Sequence, residues 1–218
     1  MKKLIIFISV PRSGTNYFFN QMKEIKMFKI NAYYELFNDS FYNKSECWDD
    51  FYKKYKCKNK LKVLDKLLNY GNGLQKPLND IKNSDEIINI IKIFPNQLNK
   101  DEFIELINNK NYNIKLMFLL RDMKDVYQSY YHALTYNDWT MCRKDKLKTY
   151  KLDEMLKNNN FKYNYENKIF ECYLNDMVNI IKYFNKSYTF LYFKDFKNYS
   201  LNDFEKIILN EFNISNDK

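Results

Sequence analysis

The chain has 218 residues, of which 45% are hydrophobic and 29% charged, with 36 basic and 27 acidic side chains giving a net charge of +9. That length holds one domain with a sizeable core, and the balance excludes a disordered tail. No apolar run approaches the roughly 20 residues that span a bilayer, and with 3 Gly and 3 Pro collagen-like, linker-rich and turn-dense all-β chains are excluded as well.

The run LIIFISV at residues 4–10 is short and β-branched and predicts a fully buried strand. Lys2 and Lys3 precede it, but the apolar stretch is at the short limit and no small-residue cleavage site follows, so it is not read as a signal peptide. PRSGTN then forms a turn, and residues 17–27 predict a helix with Phe18, Met22 and Ile25 on one face. IINIIKIF at residues 87–94 predicts a second strand, stopped by Pro95. A helix at residues 100–108 leads to a third strand, IKLMFLL at residues 114–120, which ends at Arg121 and Asp122. A helix at residues 124–134 follows. A long helix over residues 165–184 precedes a fourth strand at residues 188–193 (YTFLYF), and an amphipathic helix at residues 201–212 closes the chain.

Apolar strands alternating with helices predict a single α/β domain, a parallel sheet of about four or five strands flanked by helices. The stretches 41–83 and 136–164 are polar, rich in Lys and Asn and weakly periodic. They are expected to be helical insertions over one rim, facing the substrate as a lid.

The positive charge suggests an anionic partner. Basic residues are nevertheless spread along the chain, and the run from Lys53 to Lys62 reads first as a solvated helix face. Aromatics are abundant, with 20 Tyr and 18 Phe, yet no RNP-type run appears, so nucleic acid is not expected. Cys47, Cys57, Cys142 and Cys172 form no CxxC pair and His132 is the single His, so no zinc site and no disulfide framework are expected. A reducing, cytoplasmic location follows as the expectation. Lys so outnumbers Arg that Arg12, Arg121 and Arg143 are the only arginines. An Arg in such a chain points to a position where chemistry requires it.

Two motifs carry chemistry. The first is Val10-Pro11-Arg12-Ser13-Gly14-Thr15-Asn16, set between a buried strand and a helix. A loop there directs backbone N–H groups and the positive end of the helix dipole at an anion. Gly14 allows close approach, Ser13 and Thr15 add hydroxyl donors, and Arg12 adds charge. A Walker A loop does not fit: Ser9 stands at the first Gly position, Thr15 at the Lys and Asn16 at the magnesium-binding hydroxyl. A metal-dependent kinase is accordingly disfavoured. The second motif, FLLRDMKDVYQSYYH, ends a strand in Arg121 and places Ser129 roughly two turns into the next helix. Both groups can converge on one phosphate, although Arg121 could equally pair with Asp122 or Asp125.

Together PRSGTNYF and FLLRDMKDVYQSYYH resemble the sulfotransferases that use 3′-phosphoadenylyl sulfate (PAPS). The resemblance covers the sheet core. It implies a P-loop-like sulfotransferase fold in which Arg12, Ser13, Gly14, Thr15 and Asn16 grip the 5′-phosphosulfate. Arg121 and Ser129 would then grip the 3′-phosphate, and PAPS would leave as 3′-phosphoadenosine 5′-phosphate (PAP) without a metal. Met123 stands where the family has Pro, and Lys194 replaces the acid of the family's late strand-end motif, so that position receives no role. Tyr34-Glu35-Leu36-Phe37 resembles a segment of bacterial carbohydrate sulfotransferases of the trehalose and nodulation-factor type. This implies Glu35 as the base that takes the proton from an acceptor hydroxyl; a surface Glu is the alternative. Lys92 resembles a strand-end Lys facing the transferring group, and a solvent-facing Lys is its alternative. His132 is expected to pack rather than react, though it and Asp39 are the next candidates for the base. The implied acceptor is a hydroxyl of a carbohydrate or glycolipid. A nonenzymatic PAP- or polyanion-binding relative and, less favoured, a kinase remain as other readings.

Overall fold

The architecture is taken from a computed structural model that describes residues 1–33, 35–37, 59–70, 87–136, 163–184 and 187–214. The strands are β1 (Lys2–Ser9), β2 (Lys29–Ala32), β3 (Ile87–Ile93), β4 (Tyr112–Leu120) and β5 (Tyr188–Tyr192). The helices are α1 (Thr15–Met22), α2 (Lys60–Tyr70), α3 (Lys100–Ile107), α4 (Met123–Tyr136), α5 (Tyr163–Tyr183), the single turn α6 (Phe193–Phe196) and α7 (Leu201–Phe212). All five strands are parallel, in the order β2-β3-β1-β4-β5.

β1 is central because its sequence leaves it no polar face. Leu4, Ile6 and Ile8 pack into one apolar layer with side chains of α2, α3, α4 and α5. Ile5 and Phe7 pack into the other, with α1 and α7. Each fully buried side chain of this kind contributes about 1.5–3 kcal/mol relative to exposure. β3 and β4 flank β1 in register, with Ile6 opposite Ile91 on one side and Leu116 on the other. The chain leaves β1 toward β2 and leaves β4 toward β5, so the connections of these two neighbours diverge. Parallel α/β sheets open a crevice outside the carboxyl ends of strands at such a point.

The expected parallel α/β sheet is present, and several details differ from the sequence reading; the strand expected at residues 188–193 ends at Tyr192, and Phe193 opens α6. β1 stops at Ser9, making Val10 a loop residue, and α1 ends at Met22 rather than at residue 27. β2 (KINA) went unpredicted because four residues with Lys and Asn carry little β signal; it is buried throughout and pairs with β3. α2 lies inside the stretch expected over the rim. It instead buries Val63, Leu64, Leu67 and Leu68 against the sheet, at helical spacing between lysines. Adjacent parallel strands β2 and β3 need a crossover, and α2 supplies it. Tyr112 on β4 donates to Asp65 of α2 at 2.5 Å, and Lys60 donates to the Gln97 carbonyl at 2.8 Å. The rest of both stretches, with Asp39, Cys47, Cys57 and Cys142, lies outside the described residues apart from Asn59 before α2, Tyr136 at the end of α4 and residues 163–164 at the start of α5. Cys172 is a free, exposed thiol.

Candidate anion-binding site

The loop after β1 occupies the carboxyl edge of the sheet. Two of its residues lie in the left-handed region, Arg12 at φ 70° and Gly14 at φ 93°. This costs a side-chain-bearing residue about 1–2 kcal/mol, so the loop holds Arg12 in a strained conformation. Left-handed residues in such a turn direct successive N–H groups into one concavity. Gly14 is the N-cap of α1 and supplies no side chain to its first-turn donors. A second constraint also selects Gly here: a Cβ would sit 2.3 Å from the ring of Phe193. Ser13, fully buried, donates to the Val10 carbonyl at 2.8 Å and so closes the loop on itself. Asn16, in the first turn of α1, is exposed.

The second motif meets this loop directly. Arg12 donates from Nε to Ser129 Oγ at 3.0 Å, across 117 residues. Arg121 donates from Nη1 to the Arg12 carbonyl at 3.3 Å. Ser129 is buried on α4. The missing Pro does not disturb that helix, because Asp122 accepts from the Lys124 backbone at 2.8 Å and caps it. Arg121 Nε is buried without a hydrogen-bond partner, and Asp125 Oδ2 lies 3.7 Å away, an ion-pair distance too long for a hydrogen bond. Burial pushes the guanidinium below its ordinary pKa, with Asp125 and Asp122 opposing. Its face lies against Phe193, with the guanidinium carbon 4.6 Å from the ring centroid.

β2 and β3 bring up the third group. Glu35 follows β2 in a turn anchored by the buried Leu36 and Phe37. Its Oε1 lies 2.5 Å from Lys92 Nζ, with the two side chains 23% and 5% exposed. Lys92 is therefore no solvent-facing lysine. It also donates to Thr15 Oγ1 at 3.3 Å, which ties the pair to the first residue of α1. Burial lowers its pKa, Glu35 opposes that shift, and the Arg12 charge adds to it.

Arg12, Arg121 and Ser129 thus form one cluster at the Val10–Gly14 loop, and Thr15, Lys92 and Glu35 form a second at the start of α1. His132 falls on α4. Two residues that motif matching passed over belong here as well. Ser9 is fully buried at the end of β1, its Oγ without a partner; it shares the sheet face of Phe7, the one that carries α1. Phe193 touches both Gly14 and Arg121. The signal for Ser9 was a hydroxyl ending an otherwise apolar strand; Phe193 had none. Among the described residues, no group of three or more His, Cys, Asp and Glu is placed to hold a metal ion, and no helix is long and apolar enough to cross a membrane. No protein-family model matches the chain, and no curated protein matches it either.

Proposed function

We propose that the protein is a cytoplasmic, single-domain sulfotransferase that moves a sulfuryl group from PAPS to a hydroxyl of a carbohydrate or glycolipid. The supporting observation is the convergence of the two motifs: Arg12 meets both Arg121 and Ser129, 109 and 117 residues away in the chain. Unpartnered buried polar atoms at Arg121 Nε and Ser9 Oγ suit an anion-accepting site, since such atoms are costly unless something completes them.

PAPS supplies the activated sulfuryl group. The loop amides, Ser13, Thr15 and Arg12 hold the 5′-phosphosulfate and stabilise charge growing on the bridging oxygen as its bond to sulfur breaks. Glu35 takes the proton from the acceptor hydroxyl as that oxygen bonds to sulfur. Lys92, held between Glu35 and Thr15, lies between the carboxylate and the loop and neutralises charge there. Arg121 and Ser129 bind the 3′-phosphate. The protein's contribution is positioning and charge neutralisation, as in phosphoryl transfer.

Calorimetry tests this reading. PAP binds more tightly than adenosine 5′-monophosphate, with or without EDTA, and Arg121→Ala weakens PAP roughly 10- to 100-fold, the worth of one charge-assisted contact. Equal affinity for both nucleotides overturns the assignment. Binding lost to EDTA and restored by Mg²⁺ moves the reading to a kinase.

A further inference from the structure

The residue after β5, Phe193, takes no part in the chemistry proposed above, yet its side chain touches both motifs. Its ring edge fills the space where Gly14 lacks a Cβ. Its face lies 4.6 Å from the Arg121 guanidinium carbon. The ring is not free to turn. Tyr17 meets it at 6.1 Å and 78°, and Phe196 meets it at 5.2 Å and 87°, both edge-on. Tyr17 in turn donates to the Lys197 carbonyl at 2.9 Å, which ties α1 to the end of α6.

A guanidinium over an aromatic face gains a cation–π attraction that helps fix its place. Arg121 has two other anchors, the Arg12 carbonyl at 3.3 Å and Asp125 at 3.7 Å. Asp125 is the competitor: a small movement of the guanidinium would close that gap into a charge-assisted hydrogen bond and occupy Nε, which now donates no hydrogen bond. The ring packed against the guanidinium restricts that movement.

We infer that Phe193 is a positioning residue for anion recognition: it stacks on Arg121, holds Nε away from Asp125, and so preserves the donor that distinguishes a nucleotide with a 3′-phosphate from one without. The inference rests on the sulfotransferase reading of Arg121. It predicts a selective loss, because the 5′ grip on the Val10–Gly14 loop does not depend on Arg121 Nε.

The experiment measures PAP and adenosine 5′-monophosphate binding by calorimetry on the parent, Phe193→Leu, Phe193→Met and Phe193→Tyr, each checked by thermal melting. The cation–π contact is worth roughly threefold to thirtyfold in affinity. Leu and Met keep apolar volume without the aromatic face, so PAP binding falls by that factor while the monophosphate changes less than about twofold. Tyr restores the preference. If the folded Leu or Met variant keeps the parental preference, or if both nucleotides weaken equally, Phe193 only supports the loop and the inference fails. A parent without any 3′-phosphate preference overturns the reading of Arg121 itself and this inference with it.

Discussion

Removing one charge from the Lys92–Glu35 pair separates its structural role from its chemical one. The two atoms stand 2.5 Å apart, with side chains 5% and 23% exposed. At an effective dielectric near 20, unit charges attract by about 4 kcal/mol even at 4 Å, and burial makes their desolvation comparably large. Deleting one partner of a buried pair costs about 3–5 kcal/mol because the other charge stays uncompensated. Lys92→Met leaves Glu35, which can turn partly to water, and falls near 3 kcal/mol in that range. Glu35→Gln leaves Lys92 buried beside the Arg12 charge and falls nearer 5 kcal/mol. Lys92→Met combined with Glu35→Gln recovers most of the loss, since no orphan charge remains. Glu35→Gln also acquires a pH dependence. Burial already lowers the Lys92 pKa from its ordinary 10.5, and losing Glu35 removes the group that opposes this. Between the lowered folded value and 10.5 the unfolded chain holds a proton that the folded chain releases, so stability rises with pH across that window. Urea unfolding of the four proteins at neutral and alkaline pH, with m-values compared, measures this. Single variants within about 0.5 kcal/mol of the parent refute the reasoning, as does a double variant no more stable than the weaker single, or a Glu35→Gln curve that falls with pH.

Gly14→Ala places a methyl group in the left-handed region and into the Phe193 ring. The backbone component is about 1–2 kcal/mol, and the ring adds to it. Thermal melts show a larger loss with Phe193 present than in a Phe193→Ala background, and equal losses contradict the steric account. In a screen of hydroxylated sugars with labelled PAPS, Glu35→Gln lowers turnover by about 10²- to 10⁴-fold, the usual worth of a general base. PAP affinity of the folded variant stays near that of the parent; near-full turnover would move the base to His132 or Asp39.

Strand character and the position of the chemical loop were legible in the chain, for local reasons. β1, β3 and β4 are apolar runs, the first two rich in Ile, whose apolar residues fall on both faces, which suits a sheet covered on both sides. PRSGTN and the Arg121–Ser129 segment could be placed because each begins where such a strand ends. β2 was hidden because its stability comes from pairing with β3 and from burial of Phe28 and Ile30, not from its four residues. The helical character of α2 was expected, but its burial against the sheet was hidden because its leucines alternate with lysines that reach past the apolar stripe, as Lys60 does to the Gln97 carbonyl.

The chemistry of the site depended on contacts that no local pattern contains. Lys92 is buried because IINIIKI is covered on both faces, so a charge there must find a partner inside, and only the fold brings Glu35 and Thr15 within reach. Residues 12 and 129 meet because β1 and β4 are neighbours whose carboxyl ends lie side by side. Phe193 reaches Gly14 and Arg121 because β5 pairs with β4 and ends at the same edge. Local sequence decides which segments become strands and where their ends carry donors. Which donors face one another follows from strand order, because neighbours across a parallel sheet are far apart in the chain.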